Sequence, residues 1–245
     1  MRSYDRLVLV LDEPNAALGA AALTLVDLGV DVLYTKDNDE AMLLCRQDTG
    51  RICAAVFSVP DDADAAEEIA SRLIRVVDCL PAALLPLGIR PPDPVLTRLR
   101  ELGVEWCLWR SWTDRELRLA AALALHAGNP GDVRKDCRIP VELEGVVGTA
   151  SDKKQVTVWD LSVGGAYLEA DEPFPDGTCV SIQIPLGQVD LEGKGVVSHV
   201  KTAGRPGRAD RPVGMGIAFT GLSPASELGL AVFLDESLRR FRLGS

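Results

Sequence analysis

The chain has 245 residues, 47% of them hydrophobic and 25% charged, which is enough to bury one large core or two modest ones and too apolar for a disordered chain. Its 36 acidic and 26 basic side chains give a net charge of -10, which excludes general affinity for DNA or anionic lipid; an anionic ligand would need a local basic site. The six cysteines, at positions 45, 53, 79, 107, 137 and 179, stand singly beside only two histidines, so metal-ligand spacing is absent and no metal is expected.

The thiols read as reduced and structural, as in a cytoplasmic protein. The apolar run after Tyr4 and Asp5 spans only about seven residues, too short for a signal-peptide core or a membrane span. A cytoplasmic location without membrane insertion is the expectation.

From residue 5 to about residue 127, short apolar runs alternate with amphipathic stretches. In chain order the pattern predicts a strand at 7–11, an alanine-rich helix at 15–28, a strand at 30–34 and a helix at 38–47. It continues with a strand at 52–57, a helix at 63–76, a strand at 82–87, a helix at 94–102, a strand at 106–109 and a helix at 113–125. Five β/α repeats of this spacing predict a doubly wound parallel sheet over residues 1–127. The Gly128-Asn129-Pro130-Gly131-Asp132 run then breaks the helix and opens a linker over 128–138.

Beyond the linker the period changes to two. Strands are predicted at 141–147, 155–159, 166–170, 179–185, 189–200 and 214–219, with turn residues between them and no helices. Six short strands imply a small barrel or sandwich over 139–245. Ser223 as N-cap and Pro224 in the first turn predict a closing helix to about residue 241. The segment 204–212 carries Arg205, Arg208 and Arg211 and reads as a solvated hairpin loop, the alternative being that these arginines add basic character near a ligand site.

Two short motifs frame the first β-rich strands. Arg134-Lys135-Asp136-Cys137-Arg138 is an R-x-x-x-R just before the first strand, and Asp160-Leu161-Ser162-Val163-Gly164-Gly165 is a D-x-S-x-x-G between the second and third. Val213 to Phe219 adds a glycine-spaced last strand. In order and spacing, residues 132 to 240 resemble the PilZ family. The resemblance implies a six-stranded barrel with a C-terminal helix that binds cyclic di-GMP through Arg134, Lys135, Arg138, Asp160, Ser162, Gly164 and Gly165.

The chemistry suits that ligand, which carries two phosphodiester charges and two guanines whose O6 and N7 are adjacent acceptors. A planar guanidinium can satisfy both acceptors, pair with phosphate, or stack on a purine face. The carboxylate and hydroxyl of Asp160 and Ser162 can accept from guanine N–H groups, and Gly165 lets the chain turn closely. One departure is visible: many family members open the first motif with a basic pair, whereas here Val133 precedes Arg134 and Lys135 follows it. One ligand or a stacked pair fits equally.

The first half resembles the receiver domain of two-component systems, most clearly over 103–117, although Arg110-Ser111 replaces the Lys-Pro pair found there. Phosphoryl transfer in receivers uses an acidic pair after the first strand, an Asp at the end of the third and a Lys. Asp12 and Glu13 match the acidic pair. The third strand ends Val56-Phe57-Ser58-Val59-Pro60, without a carboxylate, and the fourth, Leu84 to Gly88, lacks the hydroxyl residue. Asp61 and Asp62 read as N-terminal acids of the following helix.

A receiver-like domain without its switch chemistry is expected to dock a protein partner or a second copy. Trp106, Trp109 and Trp112 suit either an interface or a core. His126 reads as a helix-end residue and His199 as a strand-surface one. No catalytic constellation, metal set or cofactor motif stands out, so the expectation is a non-enzymatic cyclic di-GMP effector acting on a partner in motility, exopolysaccharide or related signalling. The alternative is a PilZ-like adaptor acting through protein contacts alone, without ligand.

Overall fold

The computed structural model describes residues 7–12, 18–27, 30–47, 51–77, 81–127, 138–187, 189–202 and 211–244. The chain divides into two units, Met1–Val133 with Arg240–Ser245, and Arg134–Arg239.

In the first unit, β1 (Leu7–Leu11) is buried along its whole length, as a central parallel strand covered on both faces must be. It pairs in parallel with β2 (Asp31–Thr35) and β3 (Ile52–Phe57). Then β4 (Leu84–Gly88) and β5 (Leu108–Trp109) complete the order β2-β1-β3-β4-β5, the flavodoxin-like doubly wound order found in receivers.

Four helices cross over between the strands, α1 (Gly19–Asp27), α2 (Asn38–Gln47), α3 (Ala63–Val77) and α4 (Asp93–Glu101), and α5 (Asp114–Ala127) follows β5. In α3 the buried Ala66, Ile69, Ala70 and Leu73 recur at i, i+3, i+4 and i+7, so one stripe faces the sheet. Asp62 starts that helix, as its acid-first sequence predicts, by accepting the Ala65 N–H at 2.9 Å. The strand predicted from residue 82 begins two residues later, because Pro81–Ala83 forms a 3-10 turn.

The last residues of the chain join this first unit rather than extending the closing helix to residue 241. Cys107 N–H donates to the Phe241 carbonyl at 2.7 Å, Leu243 N–H donates to the Glu105 carbonyl at 2.8 Å, and Trp106 bridges Arg242 in antiparallel fashion. Phe241 is fully buried and Leu243 packs into the receiver-like core beside Val104 and Cys107. The segment thus satisfies backbone groups before β5 that would otherwise stand open at a sheet edge. Trp106 is half-buried there with the Arg242 guanidinium over its ring, and Trp109 packs against the core.

The second unit is a closed antiparallel barrel of order β10-β11-β8-β7-β6-β9, with β6 (Ile139–Gly148), β7 (Lys153–Ser162), β8 (Gly165–Glu169), β9 (Cys179–Pro185), β10 (Asp190–Lys201) and β11 (Gly214–Leu222). Closure removes the unpaired edges that an open sheet of this length would present. Inward positions alternate cleanly in β9, where Val180, Ile182 and Ile184 are buried and their neighbours exposed. Helix α6 (Pro224–Arg239) follows, capped by Ser223, whose Oγ accepts the Ser226 N–H at 3.1 Å. Among the described residues no helix is long and apolar enough to cross a membrane.

Two substitutions test this packing. Phe241→Ala should destabilise the first unit by ~3–5 kcal/mol, the cost of emptying a buried aromatic site. Denaturant unfolding followed by tryptophan fluorescence reads this, and an unchanged midpoint would contradict the packing of the tail. Gly165→Val places a Cβ onto the Ile217 carbonyl oxygen of β11, which is backbone and cannot swing aside. It should lower barrel stability by at least ~1–3 kcal/mol in thermal unfolding, the usual cost of overpacking; wild-type stability would contradict the close approach.

Candidate functional site

The outer face of the barrel gains its polar centre from a bulge. Val156 and Val158 of β7 point into the core, and strict alternation would send Asp160 after them. Instead the β7–β8 register slips between Val158 and Asp160, so that Val158 faces Leu168 while Asp160 already faces Tyr167. Leu161 takes up the core position next to Ala166, and Asp160 turns to the outer face.

From there a single row crosses four strands. Asp160 of β7 is opposite Tyr167 of β8, Tyr167 is opposite Gly216 of β11, and Gly216 is opposite His199 of β10. A Cβ on Gly216 would overlap the His199 ring, so the glycine is what allows that ring to lie across β11. The imidazole and the Tyr167 ring stack with centroids 5.7 Å apart and planes 26° from parallel.

Two guanidinium groups close over this row. Arg138, just before β6, donates from a terminal nitrogen to Asp160 Oδ1 at 2.7 Å, and Arg211, just before β11, donates to Asp160 Oδ2 at 2.8 Å. Arg211 also lies over the Tyr167 ring, 4.7 Å from its centroid. Its backbone is held in place, because Lys201 Nζ donates to the Arg211 carbonyl and Tyr167 Oη donates to the Pro212 carbonyl at 2.9 Å. The Asp160 side chain is 11% exposed, against 32% for Arg138 and 18% for Arg211. Two cations on one carboxylate leave the cluster with a net positive charge inside a chain of net charge -10.

His199 is pushed towards the neutral form, first by desolvation and then by the positive charges of Arg211 and Arg138; Asp160 and Asp176 act the other way. Burial likewise raises the Tyr167 hydroxyl. Both rings are therefore uncharged at neutral pH.

The remaining motif residues shape the corner. Ser162 is fully buried and donates from Oγ to the Gly165 carbonyl at 3.0 Å, closing the Val163–Gly164 turn. The Gly164 carbonyl accepts from Phe219 N–H at 2.9 Å, which ties the turn to β11. Gly165 is needed for the close approach of β8 to β11 rather than for a left-handed backbone. Of the R-x-x-x-R motif only Arg138 is placed; Arg134 and Lys135 lie outside the described residues, as do Arg205 and Arg208.

Arg211 is the residue for which sequence reading favoured the wrong one of two explanations. The solvated loop expected for it does not hold, because its guanidinium is mostly buried between a carboxylate and an aromatic ring. The one signal available beforehand was its position two residues before the glycine-spaced strand that runs beside the motif.

In the first unit the acid of β1 is occupied. Asp12 is buried, with Oδ1 accepting the Leu18 N–H at 2.9 Å and Oδ2 accepting the Tyr34 hydroxyl at 2.6 Å. The bond to that carboxylate raises the Tyr34 pKa. Glu13 lies outside the described residues, and among the described residues no cluster of three metal-ligating side chains forms.

The PilZ domain model matches residues 132–236. No curated protein matches the chain. Among solved structures, the Bacillus subtilis inhibitor of motility MotI is 16% identical over 44% of this chain and 52% of its own, with a TM-score of 0.37. Escherichia coli YcgR in complex with c-di-GMP is 18% identical over 43% of this chain and 46% of its own, at 0.35. The Vibrio cholerae chemotaxis protein CheY4 is 18% identical over 46% of this chain and 92% of its own, at 0.37. The chain thus spans about half the length of the first two. Residues 132–236, with their closed barrel and both motifs, are a PilZ domain, carried behind an N-terminal domain with the receiver sheet order.

Proposed function

We propose that this chain is a cyclic di-GMP receptor whose ligand is held on the outer face of the PilZ barrel and is not turned over. The observation that carries the reading is the convergence of Arg138 and Arg211 on Asp160, beside the turn that completes the second motif.

The ligand's two phosphodiester charges call for guanidinium donors, and Arg138 is the more accessible of the two at this cluster. Asp160 offers carboxylate oxygens to the N–H groups of a guanine edge. In the unliganded chain that carboxylate keeps two like charges close together, so little reorganisation is needed when an anion arrives. Arg134 and Lys135 bring further positive charge from the 128–138 linker.

On this reading the ligand orders the linker and changes how the receiver-like domain, or a protein partner, meets the barrel. The output is regulation of a partner in motility, exopolysaccharide or a related process, in the cytoplasm. The receiver-like domain acts as a protein-binding or dimerising module, consistent with a third strand that ends in Ser58, Val59 and Pro60 without a phosphate-accepting acid.

Charge-assisted hydrogen bonds are worth ~1.5–3 kcal/mol each. Replacing Arg138 or Arg134 by alanine should therefore weaken cyclic di-GMP binding about tenfold to hundredfold in calorimetric titrations of the full chain. Equal affinity in the wild type and both variants would remove the assigned site, and a wild type that gives no heat would remove the receptor reading.

A further inference from the structure

The row that carries Asp160 continues past the two motifs, and its far end has a form that core packing does not require. Tyr167 is fully covered, but His199, stacked on it, is exposed to solvent. Gly216 leaves the space that the imidazole needs, so a flat ring is displayed on the barrel surface. Arg211 lies over Tyr167 in the same row with one terminal nitrogen on Asp160, and a guanidinium has five N–H donors in a planar fork.

A flat uncharged ring beside a guanidinium matches a ligand that has flat purines linked by phosphodiesters. Base stacking on aromatic side chains tolerates any purine, and a histidine ring serves as well as other aromatics. Desolvation first, and then the charges of Arg211 and Arg138, push the ring towards the neutral form, against the opposing charges of Asp160 and Asp176.

We propose that ligand contact extends from the Arg138–Asp160 pair to a second recognition surface formed by Arg211 and His199, where a purine stacks on the imidazole and Arg211 donates to a phosphodiester oxygen. This rests on the cyclic di-GMP reading of the site. It gives the ligand contacts on both sides of Asp160, and it assigns to β10 and to the segment entering β11 a part that neither motif covers.

The test is calorimetric titration of the full chain with cyclic di-GMP, in the wild type, Arg138→Ala, Arg211→Ala, Arg211→Lys, His199→Ala and His199→Phe. Arg211→Ala should weaken binding at least tenfold, with Arg211→Lys in between because it keeps the charge and loses the fork. His199→Ala should weaken binding about tenfold, and His199→Phe should recover most of it by restoring a stacking face. A purely structural Arg211 would instead lower the melting temperature and leave affinity unchanged.

Because the chain has two histidines, proton NMR of the His199 ring, assigned with His126→Asn, gives a second readout that needs no altered site. Saturating ligand should shift that resonance by the ring current of a stacked base. Wild-type affinity in both Arg211→Ala and His199→Ala, or an unmoved His199 resonance at saturation, overturns the proposal while Arg138→Ala still reports on the receptor reading. Absence of binding in the wild type overturns both.

Discussion

Asp160 accepts a guanidinium on each of its oxygens, and the two cations would repel one another without it. The local architecture serves that arrangement. A bulge after Val158 turns the carboxylate outward, the end of β6 presents Arg138, and the segment entering β11 presents Arg211. The pairing order β11-β8-β7-β6 brings those three strands into one wall, so residues separated by 22 and 51 positions in sequence meet at one carboxylate. The result is a basic patch held in place on a protein whose overall charge repels anions.

Glycine is used here for space rather than for turning. Gly165 admits the backbone of β11 and Gly216 admits the ring of His199; the motif spacing places one of them and the pattern of the last strand the other. Ser162 is a further case. Its hydroxyl closes the turn with the Gly165 carbonyl, so its contribution to a ligand would come through the shape of that corner.

Much of this was legible beforehand. Period-two patterning located all six barrel strands; α2 falls where helical periodicity puts it, with Ala41 and Cys45 on its buried face, and β3 falls where a short continuous apolar run marks a strand covered on both faces. Asp160 and Arg138 were likewise visible as motif residues. Three features were not, each for a physical reason. The bulge depends on register between strands, which no single segment encodes. The Arg211 contact depends on a loop end meeting a residue 51 positions away. The bond of the Phe241 carbonyl to Cys107 and the packing of Leu243 into the receiver-like core span even greater separations, and locally Phe241 reads as the end of a helix.

The first unit has the sheet order of a receiver, and Asp12 is bound to the Leu18 backbone and the Tyr34 hydroxyl. A carboxylate fixed in this way supports the fold around β1. The central claim concerns the other unit: that an anionic guanine dinucleotide is recognised where Arg138 meets Asp160. A crystal structure grown with cyclic di-GMP tests it directly. The account predicts a phosphodiester oxygen or a guanine edge within hydrogen-bond distance of the Arg138 guanidinium, on the barrel face that carries Asp160. A ligand bound elsewhere, with the Arg138–Asp160–Arg211 cluster intact and uncontacted, would contradict it.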